Sequence, residues 1–342
     1  MDQALSNSLF ISIRGFIEES RKSVVRHVNT VMVYTYYNIG KIIIEHEQGG
    51  EERASYSQET LKQLSFQLSN EYGKGYSVDN LEKFRKFYLI YHTKISESLI
   101  RKSSKPSFST FQDAFKLSWT HYFHLLKVQD DKERSFYELE AVNSNWSIRE
   151  MQRQVNSSLY ERLALSKDKN AVQSLSSRGQ VLETPIDALK SPFVLEFLNL
   201  EEDRKYSEND LETAIINKLE NFMLELGKGF LFEGRQKRIS LEGDHFYVDL
   251  VFYNRLLRCF VLIDLKIGKL THQDIGQMQM YVNYHDRRIK LADENPTIGI
   301  ILCKEENKAI VEFTLPENNN QIFAKEYKLY LPSKEDLKKQ LE

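Results

Sequence analysis

The chain has 342 residues, of which 41% are hydrophobic and 28% charged, with a formal net charge of −2. This composition excludes fibrous and intrinsically disordered proteins, and the length predicts two domains. No run of residues approaches the ~18 apolar residues that span a bilayer, and the first residues lack the pattern of a secretory signal. Cys259 and Cys303 lie in apolar, strand-like runs, which is typical of core residues in a reducing compartment, so we expect a cytoplasmic protein.

The first half of the chain is predicted to be mostly helical. Apolar residues recur at helical spacing over 5–47, and further helices are predicted over 57–72 and from Ser77 onward. The turn GKGYS separates the last two, a pattern that resembles a helix-turn-helix with Lys83, Arg85 and Lys86 pointing outward. Two ordinary packed helices are the alternative.

Basic residues are concentrated at one place in this half. Residues 1–170 carry a net charge of +3 and the remainder −5, and Glu97 is the one acidic residue from Lys83 to Lys105. The basic residues of this run are Lys83, Arg85, Lys86, Lys94, Arg101, Lys102 and Lys105. A local charge of +6 is typical of a phosphate-binding surface, and a solvated helix face would explain it equally simply.

Later helices are predicted over 119–128, 131–143 and 148–164, the last opened by a capping box of Ser147 and Glu150. Periodicity is then lost over residues 165–192, where Ser, Gly and Pro accumulate. We therefore predict a helical domain over 1–170, a linker over 171–192 and a second domain over 193–342.

The second domain has a different pattern. A helix is predicted over 208–226 and another over 272–285. Strands are predicted over 229–241, 245–254, 258–267, 297–303 and 326–331. The predicted class is α/β for this domain and α+β for the chain.

Two aspartates interrupt the apolar strands of this domain. Side chains alternate along a strand, so Asp264 and Lys266 share one face. An antiparallel hairpin through the loop NRLLR would set Asp249 beside Asp264. Paired carboxylates repel each other unless a proton or a cation lies between them, which favours a Mg²⁺ or Mn²⁺ site. An Asp264–Lys266 ion pair on an exposed sheet face is the alternative.

Six motifs carry a resemblance that covers nearly the whole chain. They are "VDLVFYNRLLRCFVLIDLKIGKL", "FMLELGKGFLFEGRQ", "GQMQMYVNYHD", "PTIGIILCK", "YSVDNLEKFRKFY" and "LSWTHYFHLLKV". This set of motifs, in this order, resembles the bacterial YhcG-like proteins of the PD-(D/E)xK nuclease superfamily. The resemblance implies an N-terminal helical, winged-helix-like domain and a C-terminal restriction-endonuclease-like domain. Val248 replaces the proline of the superfamily motif, and Asp264 takes the place of its second acid, which is often glutamate.

The resemblance also implies roles for individual residues. Asp249, Asp264 and the Leu265 carbonyl would be metal ligands, and Lys266 would be the catalytic lysine. Glu212 best matches the glutamate of the preceding helix, with Glu220 and Glu225 as competitors. Gln277 and Tyr281, four residues apart, resemble the Q-xxx-Y element of RecB-like nucleases, and Gln236 is a weaker candidate for nucleic-acid contact.

These observations predict a Mg²⁺- or Mn²⁺-dependent endonuclease that cuts DNA and is directed to it by the helical domain. The alternatives are a catalytically inactive nucleic-acid-binding or scaffold protein on a nuclease fold, or a nuclease for RNA or junctions. No membrane partner is expected, and the oligomeric state stays open, with a homodimer as one arrangement.

Overall fold

The computed structural model describes residues 2–49, 54–102, 108–166, 169–200 and 206–341. They form two compact units, Met1–Met151 and Gln152–Glu342, and each is described here by itself. No helix among the described residues is long and apolar enough to cross a membrane.

The described part of the first unit contains helices and no strand. Its helices are α1 (Asp2–Gly49), α2 (Ala54–Tyr72), α3 (Val78–Lys102), α4 (Phe108–Ala114), α5 (Trp119–Leu125) and α6 (Asp131–Asn143), and α7 (Ile148–Asn156) continues into the second unit. The predicted helical character of this region is therefore confirmed. A winged helix would add strands, and that feature is not seen in the described residues.

Aromatic side chains form the core of the first unit. Tyr37, Phe87 and Tyr122 are buried, and Phe87 contacts both of the other rings. Helices α1 and α3 approach closely at Gly40. A side chain at this position would clash, since its Cβ would lie against the Phe84 carbonyl oxygen. This packing fixes α3, whose first residues follow a short 3-10 turn over Lys74–Tyr76 after α2.

The second unit is a six-stranded sheet with helices on both faces. Its strands are β1 (Phe193–Val194), β2 (Phe230–Leu241), β3 (Asp244–Asn254), β4 (Cys259–Lys269), β5 (Ile298–Glu305) and β6 (Ile322–Lys328). Its remaining helices are α8 (Leu159–Leu165), α9 (Lys169–Arg178), α10 (Glu208–Asn217), α11 (Leu219–Leu226), α12 (His272–Tyr284), α13 (Lys308–Thr314) and α14 (Lys334–Lys339). The strand order is β1-β6-β5-β4-β3-β2, with β2, β3 and β4 antiparallel and the other pairs parallel.

Apolar residues on the two faces of this sheet form separate clusters. Leu211 and Ile215 of α10 pack with Ile263 and Leu265 of β4 on one face. Met278 of α12 packs with Val251 and Leu262 on the other. Strand β4 is covered on both faces, as its near-continuous apolar sequence predicts.

Two expectations about elements are corrected. The helix predicted over 148–164 is two helices, because Ser158 adopts a left-handed conformation with φ of 53°. The helix predicted over 208–226 is also divided, at Lys218. Residues 171–192, predicted as a linker, include most of α9 and a 3-10 turn, and Leu175 and Leu189 are buried. The domain limits at 170 and 193 remain predictions.

Candidate active site

The β3–β4 hairpin brings the two aspartates of the strands together. The β3–β4 pairing runs from Asn254 and Cys259 to Leu250 and Ile263, so Asp249 and Asp264 are the next residue on each strand. That is the register predicted from a loop centred between the two aspartates. The Oδ2 atom of Asp249 accepts a hydrogen bond of 2.8 Å from the Leu265 backbone N–H, which links the two strands at this level.

Gln236 of β2 connects Asp249 to a third carboxylate. Its Nε2 donates to Asp249 Oδ1 at 3.1 Å and also to Oε2 of Glu212. Its backbone has a φ of 47°, in the left-handed region that few residues other than glycine occupy. This conformation of β2 places the amide between the two carboxylates, and its contact with nucleic acid remains a prediction.

Glu212 is the one glutamate of the three candidates that makes this contact. It lies on α10 and is almost fully buried, whereas Glu220 is exposed and Glu225 forms ion pairs elsewhere. Burial raises the pKa of Glu212, and the hydrogen bond from Gln236 opposes that effect while nearby Asp249 adds to it. The helix register, which the sequence left open, thus selects Glu212.

Asp264 and Lys266 form an ion pair on one face of β4. Lys266 Nζ lies 2.8 Å from Asp264 Oδ2, and Asp264 is 3% exposed. Burial raises the pKa of Asp264 to about 7, because the attraction of Lys266 does not offset it and Asp249 repels the charged form. The Lys266 ammonium is the charge partner of the buried Asp264 Oδ2 atom, which accepts no hydrogen bond.

Two further acids surround Lys266, and the sequence did not single them out. Glu208 Oε2 and Asp274 Oδ1 each lie 3.9 Å from its Nζ. Burial by itself would lower the pKa of Lys266, but Asp264 and these two acids raise it, so the side chain is a cation. In the sequence, the one signal at Asp274 is a T-x-x-D pattern that begins at Thr271 and is typical of a helix capping box. The structure contains this capping box at the start of α12.

The Q-xxx-Y pair lies on α12 beside this face. The Tyr281 hydroxyl donates a hydrogen bond of 2.9 Å to the Tyr247 carbonyl, two residues before Asp249. Burial, followed by the charges of Asp264 and Asp249, raises the pKa of Tyr281 to about 12. Gln277, one turn earlier, is half-buried. Tyr281 therefore positions the backbone of β3, and Gln277 lies on the same side of the helix.

The basic residues of the first unit are only partly available to a ligand. Lys83 forms an ion pair with Asp79 and lies 4.5 Å from the centroid of the Phe123 ring. Arg85 is 2.7 Å from Glu47, so both side chains are partly exposed and each is paired with an acid. Their contact with nucleic acid remains a prediction. Lys86 is exposed, as predicted. The side chains of Arg101 and Lys102, and all of Lys105, lie outside the described residues.

The acidic side chains fit a divalent cation in chemistry but do not enclose one as they stand. Among the described residues, no three acidic, histidine or cysteine side chains converge closely enough to hold a metal ion. The Gln236 amide lies between Glu212 and Asp249, and Asp264 is held by Lys266. Burial is the main reason why the pKa values of Asp264 and Glu212 are raised, and the nearby Asp249 carboxylate raises both further. Mg²⁺ needs few protein ligands because it keeps several waters, and carboxylate oxygens are the ligands it prefers.

Both parts of the chain match known protein families. Residues 186–342 match the YhcG PDDEXK nuclease domain, and residues 12–162 match the DUF1016 N-terminal domain. The chain therefore belongs to the YhcG/DUF1016 family, which confirms the resemblance seen in the sequence.

One relative aligns over almost the whole chain. It is a protein of Escherichia coli (strain K12) named "Putative nuclease YhcG", 40% identical over 341 residues that cover 95% of this chain and 90% of the relative. Two solved structures are more distantly similar. A repair endonuclease from Pyrococcus abyssi has 20% identity over 39% of this chain and 50% of its own, with a TM-score of 0.26. The structure of an EndoMS-dsDNA2 complex has 17% identity over 40% and 51%, with the same TM-score of 0.26.

Proposed function

We propose that the protein is a Mg²⁺- or Mn²⁺-dependent endonuclease that hydrolyses phosphodiester bonds in DNA at the site of Asp249, Asp264 and Lys266. The observation that carries this proposal is the Lys266 ammonium, 2.8 Å from the buried Asp264, with Asp249 close enough to repel the charged form of Asp264. The family membership supports it, because the matching domain is described as a nuclease domain.

The chain's own residues would divide the work. Asp249 and Asp264, with the Leu265 carbonyl, would hold a divalent cation, which supplies an activated water and offsets charge on the phosphate. Gln236 and Glu212 keep the Asp249 carboxylate in place through their hydrogen bonds. Lys266 would neutralise charge that develops on the phosphate oxygens or orient the attacking water.

The helical unit would bring the site to its substrate. Helix α2, the short turn after it and α3 would act as a helix-turn-helix, with Lys86 and the basic residues Arg101, Lys102 and Lys105 contacting phosphates. A wing in the manner of a winged helix would have to come from residues that are not described. On this proposal, residues 1–170 form the nucleic-acid-binding domain and 193–342 the nuclease domain.

A cleavage assay on purified full-length protein tests the activity. Linear duplex, branched and single-stranded DNA, and RNA of the same sequence, are incubated with Mg²⁺, with Mn²⁺ or with chelator. We expect metal-dependent cleavage of DNA. If RNA or branched DNA is cleaved preferentially, that nucleic acid is the substrate instead of duplex DNA.

Matched variants on β4 separate this activity from a contaminant. Lys266→Ala and Asp264→Ala should lower the cleavage rate by about 100-fold or more, since each removes a group that acts on the transition state. Lys269→Ala changes an exposed lysine three residues further along the same strand and should cleave like the parent. A folded Lys266→Ala variant with parental activity would overturn the assignment. If calorimetry also shows no saturable Mn²⁺ binding that depends on Asp249 and Asp264, the chain is a scaffold.

A further inference from the structure

The first part of helix α1 carries a row of apolar side chains that its own bundle does not cover. Ten large apolar residues between positions 9 and 31 are between 38% and 72% exposed. Eight of them lie along one side of the helix. They are Leu9, Phe10, Ile13, Phe16, Ile17, Val24, Val28 and Val31, and we call them the α1 stripe. The helical spacing seen in the sequence therefore produced a helix, but not the buried face that such spacing usually indicates.

The direction of the stripe explains why it is exposed. At about 100° per residue, its eight members fall within an arc of about 120° on the helix. The buried residues of the same helix, Val33, Tyr37 and Ile44, lie on the other side, where α3 packs. At the edge of the stripe, the rings of His27 and Tyr34 contact Phe108.

We propose that the α1 stripe binds the same stripe of a second copy of this chain. Eight side chains of this size, exposed to this extent, present roughly 800 Å² of accessible surface. That is about the area that each partner contributes to a stable and specific interface. The stripe is also about 34 Å long at 1.5 Å per residue, which is long enough for a helix pair.

The spacing of the stripe fits a partner helix of the same kind. Phe10, Ile17, Val24 and Val31 are seven residues apart, like one of the two apolar positions of a coiled-coil seam. The other position is mixed, with Ile13, Ser20, His27 and Tyr34. Two copies related by a two-fold axis present equal lengths of this seam to each other, and such symmetric pairs are the commonest assemblies of identical chains.

A lipid surface fits the helix less well. A helix that lies on a membrane needs a polar opposite face, so that one side stays in water. Here the opposite face is mixed, because Ile11 and Val25, away from the stripe, are 61% and 59% exposed among polar residues such as Glu18 and Arg26. These two residues also supply a matched control, because they are one isoleucine and one valine of similar exposure on the same helix.

Sedimentation velocity on the full-length protein tests the proposal. The parent should sediment with twice the mass of the 40.3 kDa chain. The double variant Ile17→Glu, Val24→Glu should raise the dissociation constant of the dimer by about 100-fold or more, because it places four carboxylates in the seam. The control Ile11→Glu, Val25→Glu should remain a dimer. Circular dichroism should show equal helix content in all three proteins.

Each contrary result is distinct. A parent that stays monomeric at tens of micromolar overturns the proposal, and so does a dimer that survives the stripe variant. Dissociation of both variants would assign the effect to helix stability rather than to the stripe. Binding of a monomeric parent to anionic phosphatidylserine vesicles, lost in the stripe variant alone, would replace the second copy with a membrane surface.

Discussion

Glu225 shows at the scale of one residue why similar carboxylates have different fates. Burial alone would raise the pKa of Glu225, but Arg162, Lys190 and Arg153 outweigh burial and lower it to about 2. The carboxylate is fully buried, and Arg162 binds both of its oxygens. Burial outweighs the Gln236 hydrogen bond and the charge of Arg235 at Glu212, thirteen residues earlier, so the pKa of Glu212 is raised instead. Glu225 is therefore an anion that stabilises the fold through its ion pairs, whereas Glu212 lies at the candidate site.

The lowered pKa of Glu225 makes a prediction about acid stability. An unfolded glutamate titrates near pH 4.5, so the folded ion pair contributes stability that is fully present above that pH. The contribution, on the order of 3 kcal/mol, is lost as the pH falls through about 2. Glu225→Gln should lose about that much at pH 7, and its deficit should shrink between pH 4.5 and pH 2.

Hydrogen exchange of the β4 and β5 amides in increasing urea, followed by mass spectrometry at several pH values, measures this effect. Glu220→Gln changes an exposed glutamate on the same helix and should follow the parent at every pH. Parallel stability curves for the parent and Glu225→Gln from pH 7 to pH 3 would show that the ion pair does not stabilise the fold.

At the scale of the element, the β3–β4 hairpin was predictable and its distortion was not. A loop of known length fixes the register of an antiparallel pair, which is why Asp249 could be set opposite Asp264 from the sequence. Strict alternation, however, would put Val248 and Leu250 on one face. They pack in different clusters, because β3 is irregular at Asp249. Nothing in the sequence shows the left-handed backbone of Gln236, since that residue type has no preference for it.

The conformation of Gln236 predicts that two small substitutions have the same effect on the cleavage rate but different effects on stability. Gln236→Gly and Gln236→Ala both remove the amide that joins Glu212 to Asp249, so both should slow DNA cleavage by about 10- to 100-fold. Only alanine keeps a side chain in the left-handed region. We therefore expect the glycine variant to be more stable than the alanine variant by about 1 kcal/mol.

Thermal unfolding and cleavage rates of the two variants, measured side by side, separate strain from chemistry. Equal unfolding temperatures would mean that the backbone of Gln236 relaxes without cost. A Gln236→Gly enzyme with the parental rate would show that the amide does not position Asp249.

At the scale of the whole molecule, the sequence predicted two parts but could not show where one ends. Residues 148–164 read as the last helix of the first part, and the structure divides the chain within it, after Met151. Arg153 and Arg162 therefore belong to the second unit, where both bind Glu225. These partners are 72 and 63 residues apart in the sequence, so no local pattern reveals them.

This division makes a prediction about fragments. The region 186–342 matches the nuclease domain by sequence, but a fragment with those limits keeps Glu225 and Lys190 and loses both arginines. It also loses α8, which contacts α14 and whose Arg162 carbonyl accepts a hydrogen bond of 3.2 Å from the Ser191 N–H. Removing the partners of a buried charge costs about 3–5 kcal/mol, a large share of the stability of a domain.

We expect residues 152–342 to fold cooperatively and residues 186–342 to unfold at a much lower temperature or to remain unfolded, as followed by circular dichroism. Adding Glu225→Gln should destabilise the longer fragment far more than the shorter one, because only the longer fragment contains the arginines. Equal effects in the two fragments would place residues 152–185 outside the folded core of the nuclease unit.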